Sequence, residues 1–134
     1  MEVRAVTVEL PSQYPVVTLR ETDAPHRELA IPVGMSEGVA LGHALHKVAT
    51  PRPLTHELLV TVIQRLAADL VAVRLVGRRA GTYLGELDLM SSAGREVLEC
   101  RPSDGIIAAL RCRVPAPVLV DERLLAGPDD VEPA

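Results

Sequence analysis

The segment Arg101-Pro102-Ser103-Asp104-Gly105-Ile106-Ile107-Ala108 decides how the chain is read, because a strand-like run ends just before it and a helix-like run begins inside it. Pro102 fixes the turn, Ser103 is placed to cap, and Asp104 suits the positive end of the helix dipole. A helix is expected from Ser103 to about Cys112, behind a strand from Arg95 to Cys100. The same arrangement occurs earlier. Glu28 to Val33 reads as a strand, and Ser36-Glu37-Gly38-Val39-Ala40-Leu41 again sets Ser, an acid and Gly at a helix start. Pro51-Arg52-Pro53-Leu54 rhymes in turn with Pro115-Ala116-Pro117-Val118. The repetition points to an internal duplication, with two similar halves of β3α2 type at about 1–70 and 71–126. The expected fold class is α+β, a strongly curved mixed sheet with flanking helices.

Outward from these anchors, Val3 to Leu10 alternates as a strand, Pro11-Ser12-Gln13 breaks it, and Tyr14 to Arg20 is a second strand. The first helix is expected to run to about Val48, with Val39, Leu41, Leu45 and Val48 inward. Thr50-Pro51-Arg52-Pro53 must be extended, since a residue before proline is biased away from helix. Thr55 then caps a second helix whose Leu58, Leu59, Val62, Ile63, Leu66 and Leu70 form an apolar stripe. Val71, Val73 and Leu75 alternate in the next strand, and Gly77-Arg78-Arg79-Ala80-Gly81 reads as a turn. Tyr83, Leu87 and Leu89 then face away from Glu86 and Asp88, and Ser91-Ser92-Ala93-Gly94 turns again. Val118 to Val120 is a short strand, and Asp121 caps a last turn through Leu125. Residues 1–126 are expected to form a single domain, and 127–134, with Asp129, Asp130 and Glu132, a disordered acidic tail.

Composition narrows the functions. Among 134 residues there is no Trp and no Phe, so the core must be aliphatic. Tyr14 and Tyr83 alone cannot build a long base-stacking platform. A net charge of −4 gives no overall basic field for nucleic acid. No run approaches the ~18 apolar residues of a membrane span, and the N-terminus lacks a signal pattern. The two cysteines, Cys100 and Cys112, form no disulfide framework and no zinc spacing, so a reduced cytoplasmic protein is expected.

Three constellations could carry chemistry, and each has a structural alternative. In the first, Asp104 is a ready metal ligand or a plain helix-end acid, and Arg101 either pairs with it or holds a phosphate at that terminus. In the second, two prolines stiffen Arg52 for an anion. His56 and Glu57 beside it point about 100° apart, so they need a third residue from elsewhere to act together. In the third, Glu37 occupies in the first half the setting that Asp104 has in the second. His43 and His46 could chelate a metal sideways, but no acid or Cys on that helix completes a set. Walker, Rossmann, HExxH and nucleophile-elbow signatures are absent.

In order, LAIPVGMSEG (Leu29 to Gly38), RPLTHELL (Arg52 to Leu59), GTYLGELDL (Gly81 to Leu89) and ECRPSDGIIAALR (Glu99 to Arg111) resemble the bifunctional nuclease domain family. The resemblance covers about Val3 to Leu125. It implies a compact α+β domain with a duplicated, barrel-like sheet, and hydrolysis of DNA and RNA phosphodiesters. Arg52, Thr55, His56, Arg101, Ser103, Asp104 and Glu37 match the family pattern. Ala30, Glu57, Glu99, Cys100, Gly105 and the Tyr83-Leu84-Gly85 stretch depart from it. On this reading His56, Asp104 and Glu37 are catalytic, and Arg52, Arg101 and Ser103 bind phosphate. Glu57 and Asp104 would hold Mg²⁺ or Mn²⁺, with nucleic acid as partner. The alternative is a non-catalytic regulatory homodimer in which the same residues tie helix starts to strand ends. A small-anion sensor using Arg52 and Arg101 is a third reading.

Overall fold

The strands form two sheets rather than one curved sheet. The computed structural model describes residues 2–9, 14–47, 51, 52 and 54–133. The break at 11–13, the helix end at Val48, and Thr50 and Pro53 lie outside them, as do the side chains of 2–9 and Tyr14. Strands β1 (Glu2–Glu9), β2 (Tyr14–Arg20) and β3 (Glu28–Pro32) make an antiparallel meander. Helices α1 (Met35–Leu45) and α2 (Thr55–Arg65) follow. A second meander comprises β4 (Ala68–Arg79), β5 (Thr82–Ser91) and β6 (Gly94–Cys100). After α3 (Pro102–Arg111), the short β7 (Val118–Val120) adds in parallel beside β4, giving the order β6-β5-β4-β7. A 3₁₀ turn at Glu122–Leu125 is capped by the Asp121 carboxylate, which accepts from the Arg123 N–H at 2.9 Å.

The architecture is mixed α+β, and no closed barrel forms among the described strands. Both sheets feed one aliphatic core. Val17, Leu19, Leu29 and Ile31 from the first meet Val73, Leu75 and Leu87 from the second, with Leu41 of α1 and Ile106 and Ile107 of α3. The sheets therefore share a core through their faces, while their edges stay separate. Each fully buried Leu, Ile or Val contributes roughly 1.5–3 kcal/mol. In both halves a three-stranded meander leads into a helix. Beyond that the halves differ, because the second has β7 and a 3₁₀ turn where the first has α2.

Several local expectations change. Helices α1 and α3 start one residue before the predicted caps Ser36 and Ser103, and α2 starts at its predicted cap Thr55 itself. Gly34, Leu54 and Arg101 hold the N-cap positions in extended backbone, and Ser36, Thr55 and Ser103 lie inside the first turn. On α2 only Val60 and Ile63 are buried, while Leu58, Val62 and Leu66 face solvent. Helical spacing located an apolar stripe but not which side the rest of the fold would cover. On α1 the buried residues are Gly38, Leu41 and Ala44, and Val39 is exposed. Val71 is also exposed, because a register shift between Leu70 and Ala72 breaks the strand parity there. Gly77 to Arg79 belong to β4, and the reversal is made by Ala80 and Gly81, both at positive φ.

The C-terminal segment, expected to be disordered, has fixed partners. The Arg78 side chain, in a residue only 4% exposed, donates to the Asp129 carbonyl from Nε and Nη2, to the Gly127 carbonyl and to the Tyr83 hydroxyl. Arg78 and Val131 also exchange backbone hydrogen bonds of 2.9 and 2.8 Å. A Cβ on Gly77 would sit 2.6 Å from the Val131 carbonyl, so this glycine makes room for the returning chain. Arg79 pairs with Glu132 and the Ala80 N–H with the Asp130 carboxylate, which gives the tail acids a holding role. Truncation after Ala126 should therefore lower unfolding free energy by about 1–3 kcal/mol, because Arg78 loses its acceptors. Adding Arg78→Met to the truncated protein should recover part of that loss. Urea unfolding of the variants measures both effects, and an unchanged midpoint on truncation would show that the tail holds nothing.

Candidate functional site

Each helix carries an acid at its third position: Glu37 on α1, Glu57 on α2 and Asp104 on α3. None of the three N-cap residues makes a side-chain cap bond, so these acids face the exposed N–H groups and the positive dipole end. Glu57 accepts from the Leu54 backbone N–H at 3.3 Å. Glu37 accepts from its own backbone N–H. Asp104 instead turns to side chains from other segments.

Asp104 is the centre of the cluster. One carboxylate oxygen accepts from His56 Nε2 at 2.9 Å and from Arg101 Nη2 at 3.0 Å; the other accepts from Arg101 Nε at 2.8 Å. Arg101 then reaches Glu37 through Nη1 at 2.7 Å. The first turns of all three helices are thus joined by one bridge, Glu37–Arg101–Asp104–His56. Burial alone would push the Asp104 carboxyl up, but the hydrogen bonds and charges of Arg101 and His56 outweigh it and hold the group below the usual carboxylate range. Glu37 is also held low, by its own backbone N–H and then by Arg101. Because Asp104 is an ionised acceptor, the contact places a proton on His56 Nε2, and Nδ1 is the lone-pair nitrogen of the neutral ring.

A cleft of about 310 Å³ opens beside this bridge, lined in part by Ser36, Glu37, His43, Thr55, His56 and Arg101. His43 is the residue that sequence reasoning missed here. The sequence pairs it with His46 as a possible chelator, whereas the fold sets it on the same cleft as His56. The remaining candidates separate. Glu57 is held by the Leu54 N–H and lies 3.7 Å from Arg111 Nη1, away from Asp104. Arg52 is exposed and does not line this cleft. Ser103 is buried on the other side of Arg101. Burial, followed by the Asp104 charge, pushes the Cys100 thiol up to about 11, so it is not an activated nucleophile.

The donor set can be tested against a divalent cation. No group of three or more His, Cys, Asp or Glu among the described residues is arranged to hold a metal. Both Asp104 oxygens and one of Glu37 are occupied by Arg101 and His56, so a cation would have to displace a guanidinium. As folded, these residues do not fit the Mg²⁺ or Mn²⁺ expected from the sequence.

Residues 17–129 match the bifunctional nuclease domain, and the chain belongs to that family. It is 40% identical over 127 residues to "Uncharacterized protein Rv1829" of Mycobacterium tuberculosis strain H37Rv, covering 93% of this chain and 74% of that protein. The counterpart in strain CDC 1551, "Uncharacterized protein MT1877", matches to the same extent. "Bifunctional nuclease 2" of Oryza sativa subsp. japonica is 30% identical over 123 residues, which is 90% of this chain and 38% of the rice protein.

The depressed Asp104 pKa has a consequence for stability. A carboxyl lowered on folding adds stability that is present above its unfolded value, about 3.9, and is lost as pH falls through the folded value. Asp104→Asn should therefore cost about 1 kcal/mol near pH 7, a figure reduced for solvent screening of a partly exposed group. The gap between wild type and variant should close as the pH drops below about 4. Chemical unfolding across that range tests it, and a gap that stays constant down to acid pH would show that Asp104 gains nothing from its charge.

Proposed function

We propose that this domain hydrolyses phosphodiester bonds of nucleic acid in the cleft beside the Glu37–Arg101–Asp104–His56 bridge. One observation carries the reading: an ionised carboxylate bonds one nitrogen of a histidine on a cleft that also presents an arginine. Family membership supports the same reaction class. Asp104 orients His56 and leaves Nδ1 as the base. His56 takes a proton from water as the water oxygen attacks phosphorus, and the P–O bond to the leaving group breaks. Arg101 faces the phosphate oxygens, where negative charge builds. His43, when protonated, gives its proton to the departing alkoxide. The helix starts add a local positive field to a chain whose net charge is −4.

A second reading is a non-catalytic dimeric regulatory domain, and β6 favours its assembly half. This edge strand is exposed from Gly94 to Glu99, including Val97 and Leu98. An antiparallel pairing of two copies centred on Val97 sets Arg95 opposite Glu99 of the second copy, so the strand is charge-complementary to itself. A monomer in sedimentation at tens of micromolar would remove this assembly. Cys100 and Cys112 are free thiols, which suits a reducing compartment such as the cytoplasm.

Cleavage of labelled single- and double-stranded DNA and RNA, with EDTA or with Mg²⁺ and Mn²⁺, tests the hydrolytic reading. Wild type is expected to cleave, His56→Ala to lose about 10²–10⁴-fold, and His43→Ala to lose less with an altered alkaline limb of the pH profile. Intact substrate under every condition would move the assignment to the regulatory reading. Activity that needs a metal and survives His56→Ala would overturn the base assigned here.

A further inference from the structure

Arg101 also lines a second cleft, one that His56 does not line. This one is about 320 Å³ and is lined in part by Ile31, Pro32, Val33, Tyr83, Pro102 and Ser103, together with Thr82. Ligand sites run from roughly 300 Å³ upward, so there is room for one small ligand and not for a polymer. Three observations say what kind. Ser103, in the first turn of α3, is only 6% exposed, yet its hydroxyl has no hydrogen-bond partner among the described residues. A hydroxyl of this kind, unpaired and open to the cleft at a helix N-terminus beside a guanidinium, is a place for an anion. Most of the rest of the lining is apolar, and it carries an aromatic ring, Tyr83. That ring is already fixed, its hydroxyl 3.1 Å from Arg78 Nη1 and its centroid 5.3 Å from the Arg78 guanidinium carbon. Stacking on it therefore costs little further side-chain entropy.

We propose that this cleft is a nucleotide subsite, taking phosphate at Ser103 and Arg101 and a nucleobase against Tyr83. The inference rests on the hydrolytic reading and extends it. Arg101 walls both clefts, so a strand crossing it places its reacting phosphate beside His56 and the adjoining nucleoside beside Tyr83. One ring reads one base by stacking, which is tolerant of sequence and needs no basic surface. An acidic, aromatic-poor chain can then engage nucleic acid one nucleotide at a time.

Binding is measured without any cleavage step, by titrating the full chain with a nucleoside 5′-monophosphate, ribose 5-phosphate and inorganic phosphate. The monophosphate should bind at least about tenfold more tightly than ribose 5-phosphate, as one stacked base predicts. Tyr83→Leu should erase that difference, Tyr83→Phe should keep it, and Ser103→Ala should weaken all three ligands. If Tyr83→Leu unfolds, Tyr14→Phe leaves Tyr83 as the sole Tyr fluorophore in a site left intact, and the monophosphate should quench it while ribose 5-phosphate does not. Base-dependent binding in a protein that cleaves nothing would keep the subsite and sink hydrolysis. Cleavage with equal affinity for the monophosphate and ribose 5-phosphate would overturn the subsite and leave hydrolysis standing. No binding of any of the three ligands would also overturn it.

Discussion

The Asp104 carboxylate is shared by Arg101 and His56, and the arrangement of the three helix starts depends on that sharing. A helix N-terminus needs acceptors for its free N–H groups, and here no cap side chain supplies them. Acids at the third positions take up the positive ends, and Arg101 offsets the charge of two of them. Individually such ion pairs contribute little, about 0–1 kcal/mol when exposed. Their joint effect is geometric. Two helix starts from the first half of the chain and one from the second are held within hydrogen-bond reach of one guanidinium and one carboxylate, with the shared aliphatic core behind them.

That geometry ties the helix starts to two clefts. An Arg placed only to neutralise Asp104 could point anywhere along the helix end. This one also walls two clefts, one with His43 and His56 and one with Ser103 and Tyr83. The groups that keep the helix starts together are therefore those that can meet a phosphate. A ligand phosphate at Arg101 would compete with Glu37 for the guanidinium, so binding and the bridge to α1 are coupled. The family to which the chain belongs is named for nuclease activity.

Local signals in the sequence were legible and long-range ones were not. Pro102 and Asp104 mark a strand-turn-helix by their own backbone and charge preferences, so α3 begins within a residue of where it was expected. Glu37 and Asp104 were picked out as equivalent acids from their Ser-acid-Gly settings, and both joined the cluster. The contact between His56 and Asp104 spans 48 residues and that between Glu37 and Arg101 spans 64, and no periodicity reports such pairs. Glu57 diverges from His56, as neighbours on a helix must, and turns to the Leu54 N–H, while the third residue that meets His56 is Asp104. Leu58, Val62 and Leu66 had core spacing yet stayed exposed, since pattern cannot say how wide a face the fold covers. Gly77 reads locally as a turn residue, yet in β4 it makes room for Val131, a tertiary reason with no local signature.

The claim on which the rest turns is that Asp104 fixes the proton of His56 on Nε2. Long-range ¹H–¹⁵N correlation spectra of the imidazole rings, recorded above neutral pH, read this directly. The account predicts that neutral His56 is the Nε2–H tautomer in the wild type and reverts toward the mixture of a free imidazole in Asp104→Asn. A neutral His56 protonated on Nδ1, or a spectrum unchanged by the substitution, would contradict it.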